Sequence, residues 1–337
     1  MPIHETKNKN LNKAKAAKKD EFYTQLSDIE RELAHYQDHL RGKVVLCNCD
    51  DPRVSNFFNY FSRNFEFLQL KKLITTCYKN QERDMFSRHD SEQAISLEYH
   101  GDRNHNRTPD PEEIGIKPLR GDGDFRSKEC VALLRQADVV ITNPPFSLFR
   151  EYVAQLIEHD KKFVIIGNKN AITYKEIFKL IKENNLWVGN TPMSTDLLFD
   201  VPEEFAEELV ATKKEGSGYV KMDGVIKARA QAVWFTNLDH AKRHENLVLY
   251  KTYNSDAYPK YDNYDAINVD KTKNIPADYV GVMGVPISFL DKYNPDQFEI
   301  LGSNRGIDQD PNGVYGRGSI LNGKEVFKRL FIKHKRL

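Results

Sequence analysis

Short apolar segments alternate with helical segments through the first 190 residues, and this alternation restricts the fold more than any other feature. Four segments are apolar enough to form strands buried on both faces. They span residues 43–49 (KVVLCNC), 70–78 (LKKLITTCY), 137–142 (ADVVIT) and 163–167 (FVIIG). Helical segments at 56–65, 148–158 and 174–184 separate or follow them. The alternation predicts a parallel, Rossmann-like doubly wound α/β sheet.

The segments on either side of this alternation have different patterns. Residues 20–40 predict a helix, because apolar side chains recur at spacings of four and three. These side chains are Phe22, Leu26, Ile29, Leu33, Tyr36 and Leu40. After residue 190 the helical period fades, and β-like runs at 231–237 and 247–253 predict a mainly β and irregular region.

Length and charge predict how the chain divides. Its 337 residues are enough for two domains, and 50 Lys and Arg nearly balance 49 Asp and Glu. Residues 1–19 carry six Lys against one Glu, and residues 301–337 carry eight Lys and Arg against three acids. Both ends could bind phosphates or be solvated tails. We predict a basic tail over 1–19, an α/β domain over 20–240 and a separate region over 241–337.

Cysteine content and hydropathy predict the compartment. Four cysteines, no apolar stretch near 18 residues and no signal peptide indicate a protein of the reducing cytoplasm, without a membrane span. Cys47, Cys49 and Cys77 could share a thiolate metal site. They lack a CxxC pair and a nearby His, so we predict core thiols and no metal.

A second metal-like pattern lies in a polar loop. Side chains suited to calcium occupy positions 1, 3, 5, 9 and 12 of a binding-loop template. They are Asp102, Asn104, Asn106, Asp110 and Glu113. Position 6, where Gly permits the sharp turn, is Arg107, and we therefore predict a polar surface loop.

The tetrapeptide Asn143-Pro144-Pro145-Phe146 ends the third apolar strand. One reaction that such a tetrapeptide can support is methyl transfer to the amino group of adenine, whose nitrogen is a poor nucleophile because the ring delocalises its lone pair. Hydrogen-bond acceptors on both amino hydrogens would localise that lone pair, most strongly in the transition state. The Asn143 amide oxygen and the Pro144 carbonyl can be those acceptors, and Pro145 stiffens the loop. Phe146 offers a face on which an extrahelical base can stack. The alternative is a Pro-rich turn that ends a strand.

Five segments resemble the EcoRI modification methylase family, within the amino-methyltransferases that carry D/N-P-P-F/Y/W. They are 20–25 (DEFYTQ), 47–58 (CNCDDPRVSNFF), 121–130 (GDGDFRSKEC), 142–152 (TNPPFSLFREY) and 285–302 (VPISFLDKYNPDQFEILG). The resemblance covers nearly the whole chain. It implies S-adenosylmethionine as cofactor, a catalytic domain over 20–240 and a target-recognition region over 241–337.

The resemblance assigns the first cofactor contacts. Phe22, Tyr23 and Thr24 would flank the cofactor, and Asp50 or Asp51 would meet its α-amino group. The loop over 50–56 departs from the family pattern, because it lacks the glycines that let a backbone approach the methionine moiety. Ser55 and Asn56 could supply side-chain hydrogen bonds instead, or cap the helix that follows.

Further cofactor and base contacts follow from the same resemblance. Asp122 or Asp124 would accept from the amino group of the cofactor's adenine, with Phe125 stacking nearby; the alternative is a Gly-Asp turn. Trp234 and Phe235 resemble the aromatic residues that sandwich the flipped base against Phe146. Neighbouring residues of a strand face opposite sides of a sheet, so at least one of the two rings is expected in the core.

Double-stranded DNA is the implied partner, since adenine must leave the stack to react. The candidate recognition loops are 302–318 and 324–336. Asn304, Arg305 and Arg317 have side chains that read purines, although solvated loop residues are the alternative.

The resemblance predicts a site-specific adenine-N6 methyltransferase of the restriction-modification type. It further implies a monomer that acts alongside a restriction endonuclease, and GAATTC as a target. Two alternatives stay open at this point. The same fold could methylate another conjugated amine (cytosine N4, an RNA base or a protein glutamine), or the chain could be a catalytically silent DNA-binding relative.

Overall fold

A computed structural model describes residues 23–49, 55–77, 94–106, 109, 113–201, 203–304 and 318–335. The described residues form two units. The first draws on residues 1–168 and 195–238, and the second on 169–194 and 239–337. The predicted boundary at residue 240 lies next to residue 239, where the C-terminal segment of the second unit begins. Residues 169–194 were predicted within the first domain but group with that C-terminal segment. The roles assigned to the two domains stay a prediction.

The strands of the first unit are followed by those of the second. Strands of the first unit are β1 Tyr23–Thr24, β2 Val44–Cys47, β3 Lys72–Thr76, β4 Ile95–Tyr99, β5 Ile114–Pro118, β6 Val139–Thr142, β7 Lys162–Asn168, β9 Leu197–Asp200, β10 Tyr219–Met222, β11 Val225–Ala230 and β12 Ala232–Thr236. Those of the second are β8 Trp187–Val188, β13 Ile267–Asn268, β14 Met283–Pro286, β15 Phe298–Ser303, β16 Ile320–Leu321, β17 Lys324–Glu325 and β18 Arg329–His334.

The helices are short. In chain order they are α1 Leu26–Leu33, α2 Gln37–Leu40, α3 Asn56–Arg63, α4 Lys128–Gln136, α5 Phe149–Glu158, α6 Lys175–Lys182 and α7 Glu203–Thr212. Short 3-10 helices span Phe146–Leu148, Lys169–Thr173, Ala241–His244, Thr272–Asn274 and Ile287–Lys292.

The central sheet of the first unit is parallel in the middle. Its seven strands run in the order β5-β4-β3-β2-β6-β7-β12. β2 pairs in parallel with both β3 and β6, and β6 pairs in parallel with β7. β4, β5 and β12 add antiparallel edges. The four predicted strands are therefore confirmed, and the order reverses at β2 as it does in a doubly wound sheet.

Burial explains why these strands are apolar throughout. All four residues of β2 and all four of β6 are buried. Alternate side chains of the two strands, from Val45, Cys47, Val139 and Ile141, join one core cluster with the aromatic rings of α3, including Phe57 and Phe61. Strands covered on both faces lose the polar alternation of a half-exposed strand.

The predicted helix over 20–40 is divided in two. α1 ends at Leu33, and Tyr36 lies outside helical geometry at φ −124° before α2 begins. The apolar face persists across the break, because Ile29, Leu33, Tyr36 and Leu40 are all fully buried. Periodicity therefore identified the buried face but not the interruption. Phe22 lies outside the described residues.

Further elements differ from the sequence predictions. The β4–β5 hairpin and the helices α4 and α7 were not predicted. The β-like run at 231–237 is confirmed as β12, but 247–253 contains no strand and only a single bridge at Lys251. The backbone N–H and C=O of Leu247 both bond the Gln297 side chain, at 2.7 and 2.8 Å. A side chain thus satisfies the groups that a sheet would pair.

A small antiparallel sheet also belongs to the first unit, in the order β1-β9-β11-β10. The second unit is built on the sheet β13-β14-β18-β15, with a register shift between Ile300 and Gly302. Its buried cluster contains Tyr261, Tyr264 and Phe331. No helix in the described part of the chain has the length and apolarity needed to cross a membrane.

Gly167 in β7 makes a specific packing contact possible. A Cβ atom there would overlap the Phe149 ring, which itself packs on Phe235 with ring centroids 5.0 Å apart. We predict that Gly167→Ala lowers the free energy of unfolding by about 1–3 kcal/mol, because an added methyl overpacks a dense core. Urea denaturation measures the change. Gly115→Ala is the matched control, since its Cβ would meet ordinary contact at 3.6 Å, and equal effects of the two substitutions would refute this packing account.

Candidate active site

The site follows from the reversal of strand order at β2. β3 lies on one side of β2 and β6 on the other, so the chain leaves β2 and β6 in diverging directions. In sheets of this kind, ligands bind beyond the carboxyl ends of the strands at such a reversal. The residues at that position are Asn48 and Cys49 after β2, and Asn143 and Pro144 after β6.

Asn143 is the first residue beyond β6 and is 7% exposed. Pro144 is buried, while Pro145 and Phe146 are half-buried. The Pro145 carbonyl accepts from Leu148 N at 3.0 Å, which starts the 3-10 turn that leads into α5. The tetrapeptide is therefore fixed between a buried strand and a helix, and Phe146 packs partly against the core of the first unit.

A hydrogen bond links the end of β2 to the helix after the tetrapeptide. The hydroxyl of Tyr152, in α5, donates to the amide oxygen of Asn48. Both side chains are buried, at 0% and 5% exposure. The bond joins residues 104 apart in sequence and ties the end of β2 to the helix that carries on from Asn143. Neither residue was given a role from the sequence, since no motif marks a pair that only the fold brings together.

The surroundings keep the Tyr152 hydroxyl protonated. Burial raises its pKa well above the usual value, and the nearby thiol of Cys49 adds to the rise. The ring packs edge-on against Phe125 with centroids 5.0 Å apart. Phe125 is 6% exposed, and its carbonyl accepts from the Gln155 side chain at 3.1 Å. Tyr152 thus contacts the β2 end and the 121–125 loop together.

The Gly-Asp loop is held close to the end of β3. A Cβ atom at Gly123, which has φ +82°, would overlap the carbonyl oxygen of Cys77. Asp122 accepts from Asp124 N at 3.0 Å, and Asp124 accepts from Arg126 N at 2.8 Å. Both carboxylates therefore take part in the turn that was the alternative interpretation of this segment.

Asp124 also forms an ion pair. Its carboxylate lies 2.6 Å from the Arg126 guanidinium, which contacts Glu151 at 2.8 Å. Burial raises the pKa of Asp124, but the hydrogen bonds and charge of Arg126 outweigh that effect and lower it overall. Asp124 is therefore an ionised acceptor. The Asp122 side chain accepts fewer hydrogen bonds than that of Asp124.

Some of the residues predicted to contact the cofactor lie next to one another in the structure. Asn56 donates to the Thr24 carbonyl oxygen at 2.8 Å, which joins the 23–24 strand to the start of α3. Ser55 caps α3 by accepting from Phe57 N and Phe58 N at 3.1 and 3.4 Å, as its alternative interpretation predicted. Thr24 is 2% exposed, and its hydroxyl has no hydrogen-bond partner among the described residues. The backbone of Tyr23 pairs with Asp200.

Trp234 and Phe235 are both in the core. Trp234 is 1% exposed and packs edge-on against Phe57 with centroids 6.2 Å apart, while Phe235 is 0% exposed and packs on Phe149. The resemblance placed these rings against a flipped base beside Phe146. The structure differs from that expectation, because core packing occupies both faces of β12.

Asn304 also differs from its predicted use. It is 3% exposed, and its side chain accepts from Arg329 N at 2.9 Å. A residue that holds backbone in the interior is not presented to a base edge. The remaining predicted residues of the site lie outside the described part of the chain. They are Phe22, Asp50, Asp51, Arg305 and Arg317.

The cysteines and the calcium-like loop have structural contacts. Cys47 and Cys77 are buried free thiols, as predicted, whereas Cys49 is only half-buried; Cys130, for which no prediction was made, is also a buried free thiol. In the polar loop, Glu113 accepts from Arg103 N at 2.6 Å and Asn104 N at 3.2 Å. Within the residues that the structure describes, no group of three or more His, Cys, Asp and Glu side chains could hold a metal ion.

Comparison with known proteins decides the family. The model of the family described as "Adenine-specific methyltransferase EcoRI" matches residues 10–335. The chain belongs to this family. The predicted resemblance is thereby confirmed, and with it an adenine-specific methyltransferase.

Curated relatives match over nearly their full lengths. The chain is 50% identical to the Type II methyltransferase M.EcoRI of Escherichia coli over 333 residues, which are 98% of each chain. It is 38% identical to the Type II methyltransferase M.MpnI of Mycoplasma pneumoniae, over 96% of this chain and 98% of that one. It is 37% identical to M.MgeORF184P of Mycoplasma genitalium, over 97% and 99%. No solved structure matches the chain.

The Asn48–Tyr152 bond can be tested with a matched pair of tyrosines. Tyr152→Phe and Tyr36→Phe each remove one buried hydroxyl, and Tyr36 bonds Glu32 at 2.8 Å away from the strand ends. We predict that each costs about 1–2 kcal/mol of unfolding free energy, because an acceptor is left buried without its donor. Only Tyr152→Phe should also slow methyl transfer in a single-turnover assay. If both variants kept the wild-type rate, the bond would be a stability contact alone.

Proposed function

We propose that this protein is a site-specific DNA adenine-N6 methyltransferase of the restriction-modification type, transferring methyl from S-adenosylmethionine to a flipped-out adenine in duplex DNA. Family membership supports the adenine-specific reaction. The names of two relatives support the restriction-modification class, since both are Type II methyltransferases. The observation that carries the proposal is the position of Asn143, at the end of β6 where the strand order reverses.

The residues at the strand ends fit S-adenosylmethionine. This group supplies an electrophilic methyl carbon on a sulfonium centre. The hydroxyls of Thr24 and Thr76 are buried and have no hydrogen-bond partner among the described residues, so each can bond a polar group of a ligand. The Asp122 carboxylate can accept a hydrogen bond from the amino group of the cofactor's adenine. The close approach of Gly123 to the end of β3 positions that carboxylate.

Asn143 and Pro144 prepare the nitrogen that receives the methyl group. Each offers an oxygen acceptor, and together they would bond both hydrogens of the amino group as the nitrogen becomes tetrahedral. Pro144 and Pro145 have no N–H that competes for these oxygens. The buried strand on one side and the 3-10 turn on the other hold the acceptors in place before the base arrives, which reduces the reorganisation that the reaction requires.

Among the described side chains predicted to stack on an extrahelical base, we propose that Phe146 makes this contact. It is half-buried, in contrast to Trp234 and Phe235, whose rings pack in the core. The proposed stacking contact is therefore carried by Phe146. A ring at this position would restrain the base while its amino group bonds Asn143.

Partners and compartment form a finer part of the proposal. Double-stranded DNA is the substrate, and a restriction endonuclease acting on the same sequence is the functional partner that the Type II names of the relatives suggest. We propose that the enzyme acts as a monomer in the cytoplasm, where its free thiols stay reduced. Arg305 and Arg317 are the proposed readers of the target sequence.

Substitution of Asn143 tests the chemistry. Purified protein is incubated with S-adenosylmethionine carrying a labelled methyl group and with duplex DNA, starting with GAATTC-containing duplexes and extending to a panel of sites. We predict label in N6-methyladenosine after nucleoside analysis. Asn143→Ala should reduce the single-turnover rate by at least about 100-fold, because one of two preorganised contacts to the reacting group is lost.

The outcomes of this assay separate the remaining alternatives. Label in N4-methylcytosine would show that cytosine, not adenine, is the substrate, and label in RNA or protein offered in parallel reactions would show that one of these is. DNA binding without any transfer would indicate a silent relative. Asn59→Ala is a control, because this asparagine lies in α3 rather than at a strand end. Full activity of Asn143→Ala would refute the proposed role of the amide.

A further inference from the structure

Three side chains at the small sheet of the first unit form a closed ring of hydrogen bonds, which we call the polar ring. The Gln25 amide donates to one carboxylate oxygen of Asp200 at 2.5 Å. The Lys227 ammonium donates to the other carboxylate oxygen at 2.9 Å and to the Gln25 amide oxygen at 2.5 Å. Each member bonds both of the others, so the loss of one side chain removes two of the three contacts.

The polar ring joins three separate segments of the chain. Asp200 is the last residue of β9 and is paired directly with Lys227 of β11. Gln25 lies between β1 and α1, at the position where a side chain often caps the helix that follows. Its side chain makes no capping bond and is used in the polar ring instead. The ring therefore ties the short connection between β1 and α1 to two neighbouring strands.

Thr24 is the residue that these contacts hold in place. Its backbone pairs with Phe199 of β9, and its carbonyl oxygen accepts from Asn56 of α3 at 2.8 Å. The residue that follows it, Gln25, enters the polar ring. The Thr24 hydroxyl is buried and has no hydrogen-bond partner among the described residues. A buried polar group on a backbone fixed from three directions is suited to binding a ligand.

The polar ring lies on the face of the sheet away from the core. The side chains of Lys227 and Asp200 are 18% and 44% exposed. The next residues along the two strands, Ala228 and Phe199, pair with each other and pack in the core cluster on the opposite face. An ion pair at this exposure contributes little to global stability. Loss of the ring is therefore expected to loosen the segment around Thr24 without unfolding the unit.

We propose that the polar ring of Gln25, Asp200 and Lys227 positions Thr24 for binding of the cofactor. The inference rests on the proposed function, in which the Thr24 hydroxyl bonds a polar group of S-adenosylmethionine. A segment that is ordered before its ligand arrives loses less conformational entropy on binding, so the ring raises the affinity for the cofactor. It leaves the rate of methyl transfer from the bound cofactor unchanged. Lys227 is a positioning residue, because it acts through Gln25 and Thr24.

The test measures binding of S-adenosylhomocysteine, which S-adenosylmethionine becomes after methyl transfer, to the full chain without DNA. We predict that Lys227→Met raises its Kd, measured by isothermal titration calorimetry, by about fivefold, the upper range for loss of a partly exposed ion pair. The single-turnover rate on duplex DNA at saturating S-adenosylmethionine should stay within about twofold of wild type, because preorganisation acts on binding rather than on the bound complex.

Arg229→Met is the matched control. Arg229 lies in the same strand as Lys227 and also pairs with an aspartate, Asp196, so its loss removes a comparable ion pair outside the polar ring. This variant should bind S-adenosylhomocysteine as wild type does. Gln25→Leu should reproduce the effect of Lys227→Met, and the double variant should lose no more affinity than either single one, because both substitutions open the same ring. Thermal unfolding checks that each protein is folded.

An unchanged Kd for Lys227→Met, or an equal rise for Arg229→Met, would overturn the inference. The first result would make the polar ring an ordinary surface contact, and the second would show a general effect of weakening the sheet. A slower single-turnover rate at saturating cofactor with an unchanged Kd would contradict it as well. Failure of the proposed function is recognised separately, because the wild-type protein would then bind no S-adenosylhomocysteine or transfer no methyl group to adenine.

Discussion

The parallel pairing of β2 with β3 on one side and β6 on the other is the constraint on which the rest of the site depends. Hydrogen bonding fixes the three strands side by side, and the reversal of their order leaves a space between the carboxyl ends of β2 and β6. Asn48 and Asn143 border that space because each directly follows one of these strands. The bond from Tyr152 to Asn48 then fixes the relative position of the β2 end and helix α5.

In this arrangement, the residues that make the site rigid differ from those proposed to bind the reacting amino group. Buried strands and aromatic packing hold the site, while the acceptors proposed for the amino group are neutral oxygens of an amide and a carbonyl. The ionised groups nearby, Asp124 and Arg126, bond one another in the turn that follows Gly123. A reaction that depends on lone-pair localisation and alignment needs no base with a shifted pKa, and the acceleration comes from preorganised acceptors and proximity.

The elements that sequence reasoning predicted are those whose signal is local. β2 and β6 are short apolar runs buried on both faces, and their pattern needs no knowledge of the fold. The signal for Asn143 is also local, because this residue follows an apolar strand and begins the tetrapeptide motif. The Asn48–Tyr152 bond could not be predicted, because it joins side chains 104 residues apart. The failure at 247–253 has a comparable cause, since the bonds from Gln297 to Leu247 replace a strand.

The family resemblance supports the reaction, whereas the structure tests the roles of individual residues. Family membership supports the reaction, yet the residue roles it suggested for Trp234 and Phe235 conflict with their complete burial against Phe57 and Phe149. Asn304 likewise bonds the backbone at Arg329 instead of facing outward. Aromatic and amide side chains serve packing and recognition equally well, so their identity alone does not decide between the two uses.

The central claim is that the amino group of adenine binds the Asn143 oxygen at the end of β6. A crystal structure of the protein with a target duplex and a non-reactive S-adenosylmethionine analogue tests it most directly. The account predicts an extrahelical adenine whose amino nitrogen lies about 3 Å from Asn143 Oδ1 and from the Pro144 carbonyl oxygen. An adenine bound elsewhere, or one whose amino nitrogen faces neither oxygen, would contradict it.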